Sequence, residues 1–307
     1  MKLVVAGASG FIGSALVRRL EGEGHRVLRL VRRPVEGPDE VEWHPAAGEV
    51  EQRDLLEGIE AVVNFAGSNL AAGRWTEERR EEIFRSRIES ARTLVTVMAH
   101  MNHKPRVFVS ASAVGYYGNR GEEVLTEGSG PGEGFLAGVC HAWEAEARVA
   151  ETAGIRTVRL RIGLVLGNGG ALAKLRPVFR AGCGGILGDG RQWMSWITID
   201  DLVRTVLHGL RDDRLAGPVN AVAPGAVRNA EFAKAFAHAL GRHWTFPPVP
   251  AFVLRTIFRE MADEMFLAST RVQPQRLLEA GFNFEQPGIG AALHAVLSRD
   301  HALLATS

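Results

Sequence analysis

The sequence predicts an α/β fold: a doubly wound parallel sheet with a smaller mixed lobe toward its C-terminal end. Three observations predict it. Short apolar runs alternate with helix-period segments through the first half of the chain. A glycine-rich turn joins the first run to the first amphipathic helix. After about residue 166 the alternation loosens into glycine-rich loops, a proline-rich stretch and scattered helices. At 307 residues the chain has room for one α/β unit with an appended lobe.

The elements follow in order. Residues 3–8 (LVVAGA) and 25–31 (HRVLRLV) read as strands, with a helix between them that buries Leu16, Val17 and Leu20 and stops near Gly24. Residues 40–45 give a short third strand, and 59–67 a fourth that is apolar on both faces, as in a covered parallel sheet. Residues 76–100 form a long helix with Thr76 as N-cap. Strands at 106–112 and 155–167 flank a helix at 134–147, on which Phe135, Val139, Trp143 and Ala147 trace an apolar stripe. Helices at 198–211 and 229–240 follow, and Asp200 and Asp201 are expected to cap the first of these. The division expected is 1–165 for the dinucleotide-binding part, with 196–225 returning to it, and 166–195 with 226–307 for the smaller lobe.

Composition narrows the function. There are 36 basic and 35 acidic residues, so no global field gathers nucleic acid or an acidic membrane. Two cysteines provide neither a disulfide framework nor metal-ligand spacing. No run reaches the ~18 apolar residues of a membrane span, and no leader-like segment precedes the first strand. A cytoplasmic protein acting on a small molecule, without nucleic-acid or membrane partners, is the expectation; a homodimer is compatible with it.

The first strand runs into Gly7-Ala8-Ser9-Gly10-Phe11-Ile12-Gly13. Glycines at this spacing let backbone turn tightly and approach a diphosphate seated on the helix N-terminus. In strand–turn–helix context this is the phosphate loop of a Rossmann dinucleotide site. The second strand ends in Arg32-Arg33 where an NAD site carries an acid for the ribose hydroxyl. Guanidinium groups suit a 2′-phosphate, so NADP(H) is expected in preference to NAD(H). A solvated charged loop is the alternative for the two arginines.

Gly7, Gly10 and Gly13, then Asn64-Phe65-Ala66-Gly67, then a strand ending in serines resemble the short-chain dehydrogenase/reductase superfamily. The segments NFAGSNLAAGRWTEERREEI, SASAVGYYG, GFLAGVCHAWEAEA, GDGRQWMSWITIDDL and EMADEMFLASTRVQPQRLLEAGFNF together resemble its atypical extended branch, the epimerase-family or cell-division-inhibitor-like proteins. The resemblance spans essentially the whole chain. It implies cofactor contacts from Ser9, Phe11, Ile12, Asn64, Ala66 and Gly67, from His44 near the adenine, and from Gly163 under the nicotinamide. It also implies a substrate surface of Arg191, Gln192, Trp193 and Trp196, with Arg176 as a further anion contact or a solvated arginine.

The same resemblance implies a Tyr-x-x-x-Lys pair that moves the proton as hydride transfers. The chain departs from it. Its only tyrosines are Tyr116 and Tyr117, and its only lysines are Lys2, Lys104, Lys174 and Lys234, none of them four residues after a tyrosine. The helix where the pair belongs carries Phe135 and Val139, or Leu136 and Cys140 one register on. Arg87 stands in the region of the family's relay asparagine. Ser112 is the expected substrate-orienting serine, and Tyr116 and Tyr117 the candidates for a relocated acid on the substrate-side wall. Cys140 and His141 are candidate replacements at the vacant place. Two readings stay open: an NADP-dependent oxidoreductase or nucleotide-sugar-epimerase-like enzyme, which leads, and a non-catalytic NADP(H)-binding regulatory or partner-binding protein.

Overall fold

A computed structural model describes residues 1–242 and 246–304; positions 243–245 and 305–307 of the expected lobe lie outside it. In chain order the elements that matter for the site are β1 (Lys2–Ala6), α1 (Phe11–Gly22), β2 (Arg26–Val31), β3 (Glu40–His44), β4 (Glu49–Val50), β5 (Ala61–Asn64), α2 (Glu77–Ala99) and β6 (Val107–Ala113). They continue with α3 (Phe135–Arg148), β7 (Arg156–Ile162), α4 (Ile199–Arg211) and β8 (Gly217–Ala221). The eight strands form one sheet in the order β8-β7-β6-β5-β1-β2-β3-β4. Strands β1, β2, β3, β5 and β6 pair in parallel, and β4 closes the edge antiparallel to β3. The order reverses beside β1, the switch point where doubly wound sheets open a crevice at their carboxyl ends.

The chain groups into two compact units. The first comprises Met1–Ser112, Val139–Leu160 and Val203–Val219; the second comprises Ala113–Gly138, Arg161–Leu202 and the chain from Asn220 onward. Segment 113–138 thus groups with the second unit. In the first, Val4, Ala6, Leu28, Val62 and Phe108 from the sheet pack with Leu94 and Met98 of α2 and Ala147 of α3 into one apolar cluster. The near-continuous burial of β1, β5 and β6 is what a sheet covered on both faces requires. Helix α2 starts where expected: the Thr76 hydroxyl accepts from the Arg79 amide, satisfying an orphan donor of the first turn.

The second unit is built from short two-stranded pairs around helices. Residues 164–166 pair with 196–198, 193–194 with 227–228, 185–187 with 246–249, and 124–125 with 271–272. Its core joins Leu166, Leu172, Phe179, Trp196, Phe232, Phe236 and Leu293. One assignment changes here. Thr198, not an aspartate, caps α4, its hydroxyl accepting from the Asp201 amide. The Asp201 carboxylate accepts from the amides of Glu285 and Gln286. The Glu264 carboxylate accepts from the amides of Phe135 and Leu136, both at 2.6 Å, and so caps the first turn of α3 from far along the chain. Among the described residues no helix is long and apolar enough to cross a membrane.

Candidate functional site

The first unit holds a cavity of about 1010 Å³ at the carboxyl ends of β1, β2 and β5. Gly7, Ala8, Ser9 and Gly10 line it, with Arg32, Arg33, His44, Ala66 and Gly67, and the α2 face carrying Ser86 and Ser90. The glycines are there because nothing larger fits. Gly7 has φ +77°, and a Cβ on it would lie 2.7 Å from the Phe65 carbonyl carbon. A Cβ on Gly13 would lie 2.1 Å from the Gly7 oxygen. Helix α1 begins at Phe11 with Gly10 as N-cap and no side-chain cap. The first-turn amides of Phe11, Ile12 and Gly13 are therefore left to an anion. Phe11 and Ile12 open that first turn. A dinucleotide diphosphate fits this cradle.

The two arginines at the end of β2 differ. Arg33 is bound bidentate by Glu40 at 2.8 and 3.0 Å and reaches Glu36 at 3.2 Å. The Glu36 amide and the Arg33 guanidinium hold the Glu40 carboxyl below its usual range. Arg32 lines the same cavity with no hydrogen bond or ion pair to a described residue. His44 stands at the cavity 3.3 Å from Glu42.

Asn64 is placed differently from the expected contact. It is fully buried; its Nδ2 donates to Ser90 Oγ, and its Oδ1 accepts from the Ala66 amide. Asn64 therefore shapes the loop whose Ala66 and Gly67 reach the cavity. Gly163 belongs to the second unit. Its amide donates to the Ala221 carbonyl, and a Cβ on it would meet the Ser195 oxygen at 2.6 Å. Local packing is reason enough for that glycine.

Strand register sets Ala6 beside Asn64 and Asn64 beside Ser110, so Ser112 stands two residues further toward the edge where the cavity lies. Its buried hydroxyl donates to Glu144 Oε1 at 2.8 Å. Glu144 Oε2 lies 4.0 Å from Arg159 Nε, and Arg159 pairs with Glu151. Glu144 was missed by the sequence reading. Its signal was a carboxylate on the stripe of Cys140, Trp143 and Ala147, all of which are buried; a carboxylate on such a face needs a partner. His141, offered as a replacement at the vacant place, is exposed.

The tyrosines are a correction. Both belong to the second unit and are buried, their rings meeting edge-on at 5.4 Å. The Tyr117 hydroxyl lies 2.6 Å from Asn220 Oδ1 and 3.0 Å from the Thr126 carbonyl, and accepts from Arg161 at 2.9 Å. Burial pushes its pKa up to about 12, against the pull of Arg161, the wrong direction for an acid working near neutrality. The Arg161 guanidinium covers the Tyr116 ring at 3.5 Å. Glu127 joins the cluster, its Oε1 accepting from the amides of Asn220 and Arg276.

The proposed substrate surface is also mostly consumed. Trp196 is fully buried and donates to the Gly225 carbonyl. The buried Gln192 amide donates to the Leu187 and Phe266 carbonyls. Trp193 donates to Glu122 at 2.9 Å, with Arg228 at 4.6 Å and Arg271 at 4.4 Å from its ring centre. Only Arg191 remains exposed. Among the described residues no cluster could hold a metal ion.

Comparison with known proteins gives three kinds of match. The profile of the "NAD dependent epimerase/dehydratase family" matches residues 3–221, and that of a domain of unknown function, DUF1731, matches 249–296. An epimerase family protein of Mycobacterium bovis is 41% identical over 97% of this chain and 98% of its own. The crystal structure of the human epimerase family protein SDR39U1 with NADPH superposes with a TM-score of 0.87 at 35% identity, over 96% of this chain and 99% of that one. A nucleoside-diphosphate sugar epimerase from Corynebacterium glutamicum gives a TM-score of 0.79 at 34% identity, over 97% of this chain and 58% of its own.

Proposed function

The chain belongs to the NAD dependent epimerase/dehydratase family, and on that premise we propose that it is an NADP(H)-dependent oxidoreductase acting on a small molecule in the cytoplasm. One observation carries the cofactor choice: at the end of β2 a guanidinium without an acidic partner, Arg32, faces the same cavity as the glycine cradle. An acid there would repel the 2′-phosphate; Arg32 attracts it. The human relative's structure with NADPH agrees in kind.

The bound nicotinamide supplies a hydride acceptor or donor. Ser112 supplies the oxygen partner. Its O–H already donates a hydrogen bond to Glu144, so its lone pairs are what it offers a substrate. That arrangement suits an alcohol substrate: the alcohol O–H donates to Ser112, and its proton passes to Ser112 as the Ser112 proton passes to Glu144. Carbonyl reduction runs the same route backward from a protonated Glu144. Nucleotide-sugar epimerisation is not favoured, because the tyrosine–lysine base is missing from the sequence. The second reading, an NADP(H)-binding regulator without turnover, draws on the commitment of Tyr117 to its own unit.

Two measurements decide. Fluorescence titration should give NADPH binding tighter than NADH binding, and Arg32→Ala should weaken NADPH alone by about 10–100-fold, the loss of a charge-assisted contact. A panel of aldehydes, ketones and quinones, followed by the absorbance of reduced nicotinamide, should show oxidation that Ser112→Ala abolishes. Tight NADPH binding with no oxidation by any member selects the regulator. Failure to bind NADPH sinks both readings.

A further inference from the structure

Arg87, on α2, is half-buried and has no carboxylate paired with it, the Cys140 thiol being the acidic group nearby. Its Nη1 donates to the Ile83 carbonyl at 2.9 Å and its Nη2 to the Ser68 carbonyl at 3.1 Å. The rest of its five-donor fork has no partner among the described residues. Burial pulls its guanidinium below the ordinary arginine range. A partly buried guanidinium without a carboxylate partner is costly to hold.

The neighbours of Arg87 share the deficit. Ser68 Oγ and Trp143 Nε1 are both buried with no hydrogen-bond partner. The Arg87 guanidinium lies over the Trp143 ring at 5.4 Å, and Ser68 is the residue whose carbonyl it holds. A hydroxyl, an indole N–H and an unmatched guanidinium are all donors. These three donors, on Arg87 and the two residues it touches, lack one thing, an acceptor, and an anion is the acceptor that also answers the charge.

The place is at the cofactor. Gly67, which lines the cavity, is also where Arg87 packs: a Cβ on Gly67 would sit 3.3 Å from Arg87 Cγ and Cζ. Ser86 and Ser90, on either side of Arg87 along α2, line the same cavity.

We propose that Arg87, with Ser68 Oγ and Trp143 Nε1, is a carboxylate-binding site, and that the substrate redox-cycled at the adjoining cofactor carries a carboxylate. The substrate clause rests on the oxidoreductase reading; the anion site does not. Arginine does not release its proton at working pH, so Arg87 anchors a fixed anion and leaves proton movement to other groups. A planar carboxylate takes two N–H bonds of a guanidinium side by side.

The test is saturation-transfer NMR on sodium acetate, with acetamide as the neutral isostere, at ionic strength held constant with sodium chloride. It is run on cofactor-free and on NADPH-loaded protein, with NADPH binding measured in parallel. Acetate is expected to receive saturation and acetamide not. Arg87→Gln should weaken acetate by at least about tenfold, and Arg87→Lys should recover part of it. Trp143→Phe, which keeps the ring and deletes one donor, should weaken it about threefold to tenfold. Equal signals from acetate and acetamide in the unaltered protein, or acetate binding unchanged by Arg87→Gln or by Trp143→Phe, overturns the site. If Arg87→Gln does not fold, the acetamide control and Trp143→Phe still decide. Acetate binding without NADPH binding leaves the site standing and removes the oxidoreductase reading; NADPH binding without acetate does the reverse.

Discussion

Around the glycine turn of the first unit polar groups are left unmatched, while the Tyr117 hydroxyl of the second is fully engaged. The first unit presents an uncapped α1 and an arginine, Arg32, with no acid beside it. The second surrounds one hydroxyl with Asn220, Thr126 and Arg161. Each region holds an arginine, and both are glycine-rich at their turns. The difference is in what remains unsatisfied. A group whose hydrogen-bonding capacity is spent within its own unit holds structure; a group with capacity left over is available to a ligand.

The largest effect expected from this contrast is at Gly13. Gly13→Ala forces a methyl onto the Gly7 carbonyl and should raise the NADPH dissociation constant at least about 100-fold, roughly 2.8 kcal/mol, in a fluorescence titration. Unchanged affinity would break the claim that the cradle is the binding element.

Next comes Tyr117→Phe, which should lower stability by about 1–3 kcal/mol in chemical denaturation and leave NADPH affinity within about threefold. An affinity loss matching that of Gly13→Ala would mean that the hydroxyl serves the cofactor after all. The same residue makes a pH statement. Its folded pKa, about 12, lies above the ordinary value of 10, so the folded state holds the proton more tightly. The stabilisation is complete below pH 10 and is lost as pH rises toward 12. Thermal midpoints of the unaltered protein should fall across that window more steeply than those of Tyr117→Phe.

The smallest effect is Arg33→Ala. Its exposed pairs with Glu40 and Glu36 are worth little, so stability should move by less than about 0.5 kcal/mol and NADPH affinity by less than about threefold. A loss as large as that of Arg32→Ala would erase the distinction between the two arginines.

The sheet and the glycine cradle were legible because their signals are local. Apolar runs of strand length, Thr76 before a charged helix, and Gly7, Gly10 and Gly13 each declare themselves within a few residues. Arg32 and Arg33 read alike in sequence, and only Glu40, on the next strand, separates them. Trp196 and Gln192 looked like a binding surface because aromatic and amide side chains serve equally as core and as contact; burial decides, and it depends on strands far apart. Tyr117 was misjudged for the same reason, since Asn220 lies 103 residues away in sequence. Glu144 could have been found, as a carboxylate on an apolar helical face is itself a local conflict.

Glu264 caps α3 across 129 residues of chain, and this bears on how the protein is made. A ribosome delivers the strands and the start of α3 long before it delivers the carboxylate that finishes that helix. Until residue 264 has emerged, the amides of Phe135 and Leu136 must wait on water. The segment matched by the epimerase family profile, 3–221, therefore cannot complete α3 when synthesised alone, and the tail contributes to folding as a late-arriving clasp.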